Sequence, residues 1–243
     1  MLLCWIVLLM KNLKLHETNK LFYGQYLFKL VFRNQLNVIF RSELQKPTKL
    51  SYARERLDEL TESYRNNLPL TRKTFRTEIP IPLIDYYDAK ELYTVLKNSN
   101  DYRIRIDPLS TISIFSNDKN WLLNIIAEKL NTTDIEFWEP NELYIDLLKS
   151  KTKIILTNRK HHLPYKVIFN GNRVPKDFAN WINANRDKVR IGMVALEQLE
   201  EYGYLNGFYI YVRDEKVLNL VTLLVGSSVR SVEKLLYKGD IDK

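Results

Sequence analysis

The sequence predicts an α+β fold made of one structural unit written twice, and three observations predict it. First, residues 205–226, LNGFYIYVRDEKVLNLVTLLVG, read as strand, tight reversal and helix, and residues 111–127, TISIFSNDKNWLLNIIA, read the same way. The two align at a constant offset of 96, matching Ile114 to Ile210, Phe115 to Tyr211, Asp118 to Asp214 and Ile125 to Val221. Second, FKLVFRN (28–34) is echoed at an offset of 137 by YKVIFNG (165–171), each alternating with the period of a strand. Third, each half then reads strand, helix, strand, strand, helix, strand. That order is the βαββαβ or ferredoxin-like arrangement, in which antiparallel sheets carry both helices on one face.

The elements follow in chain order. Residues 1–19 form an N-terminal segment headed by the apolar run MLLCWIVLLM, about half the length a bilayer span needs. Met10 opens an ordinary soluble sequence, so residues 1–9 read as an over-extended start. The first half covers residues 20–150. After strand 28–34, residues 50–65 place Leu50, Ala53, Leu57, Leu60 and Tyr64 on one helical face. An insertion at 77–100 opens with IPIPL and holds a helix at 85–97. YRIRID (102–107) is the next strand, followed by the 111–127 unit and TDIEFW (133–138). Asp118 and Asp214 each stand where an N-cap belongs. Residues 139–150 read as a connecting helix with Pro140 in its first turn.

The second half covers residues 151–243. Strand 165–171 precedes a helix at 175–186, which opens with Pro175 and offers Phe178, Trp181 and Ile182. KVRIGMVAL (188–196) reads as a strand, and the 205–226 unit follows. SVRSVEKLL (228–236) fits either a closing strand or a helix.

Composition narrows the function class. The 243 residues are 45% hydrophobic and 27% charged, with only 7 Gly and 8 Pro, which suits a globular chain without low-complexity tracts. The single cysteine, Cys4, forbids an intrachain disulfide and suits a reducing, intracellular (cytoplasmic) setting. The net charge of +8 is segregated. Residues 11–76 carry 14 basic and 6 acidic side chains, residues 77–150 carry 7 and 13, residues 151–190 carry 10 and 2, and residues 191–243 carry 6 and 8. Alternating basic and acidic blocks create a field that an even mixture would not.

In this arrangement one sheet face packs on helices and the other is open to solvent. Alternation puts Lys29, Val31, Arg33, Arg103, Arg105 and Phe115 on that face of the first half. It puts Lys166, Ile168, Arg190, Tyr209, Tyr211 and Arg213 on that of the second. Cations interleaved with rings on a flat sheet suit single-stranded nucleic acid, whose bases stack and whose phosphates meet Lys and Arg. The expected function is therefore binding of single-stranded or structured RNA or DNA without catalysis, and the expected partner is nucleic acid, with no membrane involved. NGFYIYVR (206–213) is distantly similar to the aromatic strand of RNA-recognition motifs, but it lacks that motif's alternating Phe and leading basic residue, and the family is not carried over.

Two alternatives stand beside this reading. RKHHLPYK (159–166) brings His161 and His162 together, and a histidine in a basic loop suits general acid–base cleavage of RNA without a metal. Adjacent histidines on a strand point apart, so a shared metal is not expected. The other alternative is a protein-interaction or structural module whose basic and acidic segments pair. Asp134 and Glu136 share a strand face, yet no third ligand accompanies them, and His16 stands alone. No phosphate-binding Gly loop appears, and neither cofactor nor metal is expected.

Overall fold

The computed structural model describes residues 11–43, 50–74, 77–107, 109–150 and 153–241. The apolar run at the head of the chain, and with it the reading of residues 1–9, lies outside the described residues. The chain divides into two compact units, residues 1–18 with 22–142 and residues 19–21 with 143–243. Together the described residues form an α+β protein with two five-stranded sheets and eight α-helical segments.

The first unit holds β1 (Asn12–Glu17), β2 (Phe28–Arg33), α1 (Ser51–Arg65), β3 (Thr71–Lys73), β4 (Glu78–Pro80), α2 (Leu83–Lys97), β5 (Arg103–Asp107), β6 (Thr111–Ser116), α3 (Lys119–Asn124) and β7 (Asp134–Glu139). Its sheet runs β1-β7-β2-β6-β5, while β3 and β4 form a separate hairpin in the insertion. The second unit holds α4 (Ile145–Leu148), β8 (Lys153–Thr157), β9 (Tyr165–Phe169), α5 (Asp177–Ala184), β10 (Val189–Ile191), α6 (Met193–Tyr202), β11 (Tyr209–Val212), α7 (Glu215–Val225), β12 (Val229–Tyr237) and α8 (Lys238–Ile241). Its sheet runs β10-β11-β9-β12-β8.

The two sheets share one topology. With β1 and β8 set aside, the remaining four strands of each five-stranded sheet lie in the spatial order fourth, first, third, second. Register matches as well. Leu30 pairs with Ile114 in one sheet, and Val167 with Ile210 in the other. All four are fully buried, and they sit at the offsets of 137 and 96 seen in the sequence. Arg103 opposes Phe115, and Arg190 opposes Tyr211.

Alternation decides which face is buried. Phe28, Leu30 and Phe32 of β2 face the core with Ile112, Ile114, Ile135 and Phe137. In the second unit Tyr165, Val167 and Phe169 of β9 pack with Phe178, Ile182, Val217 and Val221 of its helices. Each such side chain contributes about 1.5–3 kcal/mol on leaving water. Asp118 accepts from the Trp121 backbone N–H at 2.9 Å and Asp214 from that of Val217 at 3.0 Å, so both helices start where the sequence places their caps.

Three sequence expectations are corrected, and one alternative is decided. The sheets are mixed rather than purely antiparallel, because β1 and β8 add to the edges parallel to β7 and β12. Residues 188–196 are not one strand: β10 ends at Ile191, and α6 begins at Met193. Ala195 and Leu199 are the buried residues of α6, the spacing of one helical face, and Gly203 closes it at φ +70°. Residues 139–150 give only a 3₁₀ turn at Glu142–Tyr144 and the four-residue α4. Residues 229–237 are strand, with Val232 paired to Val167.

Candidate functional site

In the first unit the non-helical sheet face is built in cross-strand rows. Registers place His16, Trp138, Lys29, Phe115 and Arg103 in one row across β1, β7, β2, β6 and β5. The next row holds Lys14, Glu136, Val31, Ser113 and Arg105. A turn at Phe22–Tyr26 then folds over this face, with Tyr23 at φ 55° and Gly24 at φ 69°. The Phe22 and Tyr23 rings lie 5.4 and 4.9 Å from that of Phe115, which is left 3% exposed. Phe115 is thus covered by the chain itself, and the exposed ring here is Tyr23.

The cations of that face are engaged with the same cluster. The Arg103 guanidinium lies 3.7 Å from the Tyr23 ring centroid. Arg105 donates to the Tyr23 hydroxyl and, at 2.6 Å, to Asp107. Lys29 Nζ stands 5.4–5.9 Å from the rings of Trp138, Phe22 and Phe115. Burial among them lowers its pKa, against the pull of Asp107 and Glu136. Arg33 ends β2 and is exposed. Two carboxylates of β7 have a neighbour on β1: Asp134 meets Lys14 at 2.9 Å, and Glu136 lies 3.8 Å from His16; the third, Glu139, pairs with Lys119.

In the second unit the equivalent row is Arg190, Tyr211, Lys166, Glu233 and Lys153. Among the described residues no turn folds its rings away as in the first unit: Tyr209 is 44% exposed. The Tyr209 and Tyr211 rings meet edge to face at 5.4 Å. Burial, then Tyr209, pushes the Tyr211 hydroxyl pKa up. Lys166 Nζ stands 4.5 Å over Tyr209 and 3.6 Å from Glu233. Arg213 is held by Asp214 at 3.0 Å and Asp187 at 3.6 Å.

Beside this row lies a cleft of about 970 Å³. Tyr209, Tyr211 and Phe208 line it together with Arg190, Lys160, His161 and His162. The start of α6, including Gly192, Met193 and Val194, completes the lining, which contains no carboxylate among the described residues. Two groups of residues that the sequence offered for different chemistries therefore share one concavity. The sequence missed the α6 wall, because residues 188–196 read as a continuous strand. It also missed the aromatic turn, although LFYGQY carried the signal: two rings ahead of a glycine.

No protein-family model, no curated protein and no solved structure matches the chain.

Proposed function

We propose that the protein binds single-stranded or structured polynucleotide, and that the second-unit cleft is its main contact. The observation that carries this reading is the lining of the cleft: Arg190 and Lys160 beside Tyr209 and Tyr211, with Asp240, outside the lining, 3.3 Å from Lys160. In this reading a base stacks on the exposed face of Tyr209, Arg190 meets a flanking phosphate, and Lys160 exchanges its ion pair with Asp240 for another. Arg33, Arg103 and Arg105 of the first unit add positive field rather than stacking, since Phe115 is covered. The shared strand order and register support reading both units as ferredoxin-like halves of one duplication. The lone cysteine supports an intracellular place.

Fluorescence anisotropy of labelled single-stranded RNA and DNA across a salt series tests the proposal. Binding should weaken with salt at a log–log slope of about −0.7 per phosphate contact. Arg190→Gln should flatten that slope by roughly one contact, whatever the sequence. Absence of binding at low salt would refute the reading and leave the interaction module.

One observation favours a second reading, metal-independent cleavage of RNA. His161 and His162 line the same cleft as the stacking tyrosines. A bound strand would lie within reach of an imidazole able to act as general acid or base. Cleavage that is lost in His161→Ala or His162→Ala while binding persists would establish it.

A further inference from the structure

A second concavity lies in the first unit, apart from the histidine cleft. It measures about 470 Å³ and is lined by Arg33, Asn34, Gln35, Arg72, Asp85 and Thr132, among others. Two of its lining residues each carry a buried polar atom with no hydrogen-bond partner among the described residues: the Nε–H of Arg72, a donor, and the Oε1 of Gln35, an acceptor. Such atoms are costly to leave unmet, and two in one pocket point to a ligand that answers both.

The frame around them is braced. Asn34 donates its side-chain amide to the Asp85 carbonyl at 2.8 Å, and its backbone N–H donates to the Ser110 carbonyl at 2.8 Å. The Gln35 backbone N–H donates to the Asp85 carboxylate at 2.9 Å. Asp88, one turn along α2, accepts from the backbone N–H groups of Asn131 and Thr132 at 2.6 and 3.0 Å. The end of β2, the start of α2 and the segment before β7 are thus locked around the opening.

Charge says what fits. Arg33, Arg72 and Asp85 are the charged residues of the lining, one positive charge in excess. Arg72 acts through its charge on Asp85, and Arg33 on Asp134. Guanidinium groups match phosphate oxygens in geometry as well as sign. The Gln35 oxygen needs a donor, which a ligand hydroxyl supplies. We propose that this pocket binds a phosphomonoester carrying a neighbouring hydroxyl, its phosphate held by Arg33 and Arg72 and its hydroxyl donating to Gln35 Oε1. The phosphomonoester belongs either to a free mononucleotide-sized molecule or to the phosphorylated end of an oligonucleotide.

The test is calorimetric titration of the full chain with uridine 5′-monophosphate, inorganic phosphate and uridine, in a phosphate-free buffer of fixed ionic strength. The monophosphate should bind, phosphate should compete with it, and uridine should not bind. Arg72→Gln should weaken binding by about ten- to hundredfold, as expected for one charge-assisted hydrogen bond. Arg33→Gln, at an exposed position, should weaken it too and is safe for folding. Lys176→Gln removes one charge at an exposed site in the second unit and should change nothing. No monophosphate binding by the wild type, or an equal loss in Lys176→Gln and Arg72→Gln, would overturn the proposal. Two oligonucleotides, one 5′-phosphorylated and one 5′-hydroxyl, separate the sources. A preference for the phosphorylated end that Arg72→Gln abolishes assigns the pocket to strand ends; no preference beside monophosphate binding assigns it to free ligand. The pocket shares no lining residue with the histidine cleft, so failure here leaves the polynucleotide test intact.

Discussion

Lys166 on β9 reaches diagonally over Tyr209 on β11, its Nζ 4.5 Å from the ring centroid, while Glu233 on β12 holds it from the other side at 3.6 Å. The tyrosine directly opposite Lys166 is Tyr211, and Tyr209 is opposite Ile168. The contact is therefore a cation–ring pair one step off the register, within reach for a side chain as long as lysine. It leaves Glu233 as the acidic member of the row that runs from Arg190 to Lys153.

That relationship makes Glu233 the residue whose removal should strengthen polynucleotide binding. Glu233→Gln frees Lys166 from its ion pair and lifts one negative charge from the face. Affinity for single-stranded RNA should rise by about fivefold at low salt, of order 1 kcal/mol, with a steeper salt dependence. Tyr209→Ala should act oppositely, costing about 1–3 kcal/mol with little change in salt slope. Anisotropy titrations read both. If Glu233→Gln weakens binding, the row is not a phosphate-facing surface.

The first unit should respond differently to loss of a ring. Phe115 is 3% exposed beneath Phe22 and Tyr23, so Phe115→Ala should cost about 3–5 kcal/mol of stability. Tyr23 is 46% exposed, and Tyr23→Ala should cost clearly less. Urea denaturation of the two variants decides this. Near-equal stability of Phe115→Ala and wild type would mean that the turn does not close over the sheet in solution.

The sequence carried the fold wherever burial repeats. Leu30, Val167, Ile114 and Ile210 are fully buried, and the offsets of 137 and 96 relate them, because an interior position tolerates little but another hydrophobe of similar size. Edge strands leave no such trace. In β1 only Leu13 and Leu15 of NLKLHE are apolar, and Leu15 is 63% exposed, so nothing in the segment marks a strand. Met193 and Val194 misled for the converse reason. They extend an apolar run after β10 but are 76% and 63% exposed on the first turn of α6. The cleft was legible residue by residue and not as a cleft, since only tertiary structure brings Lys160–Leu163 beside Arg190 and Tyr211.

Equivalent core positions should both be costly to truncate. Leu30 and Val167 occupy the same place in their sheets and are both fully buried. Leu30→Ala should cost about 2–5 kcal/mol, and Val167→Ala should fall near the lower end because fewer atoms are removed. Denaturant unfolding followed by circular dichroism measures both. A loss under 1 kcal/mol in either variant would mean that its site collapses around the smaller side chain, or that the strand does not pack as described.

Asp85 gives a pH dependence whose sign can be derived. It lies in the first turn of α2, where the helix dipole favours a charged carboxylate. Burial opposes this and is the largest influence; it raises the pKa above the ordinary value of 3.8. The hydrogen bond from the Gln35 backbone and the charge of Arg72 work the other way, and Asp88 adds to the rise. The folded state therefore holds this proton more tightly than the unfolded chain. Its contribution is fully present below the unfolded pKa and is lost as pH rises through the folded one. Asp85→Asn cannot ionise, and its amide oxygen can still accept from Gln35. In phosphate-free buffer the variant should be more stable than wild type at pH 7. That advantage should shrink as pH falls through the folded pKa, and be gone below the ordinary carboxylate range. Lys14 lowers the pKa of Asp134, and the Val217 N–H and Arg213 lower that of Asp214, so both make wild type and variant alike lose stability in acid. The difference between the two proteins, measured by urea denaturation at each pH, isolates Asp85 from that common loss. A difference that stays constant with pH, or grows toward acid, would show that burial does not govern this carboxylate.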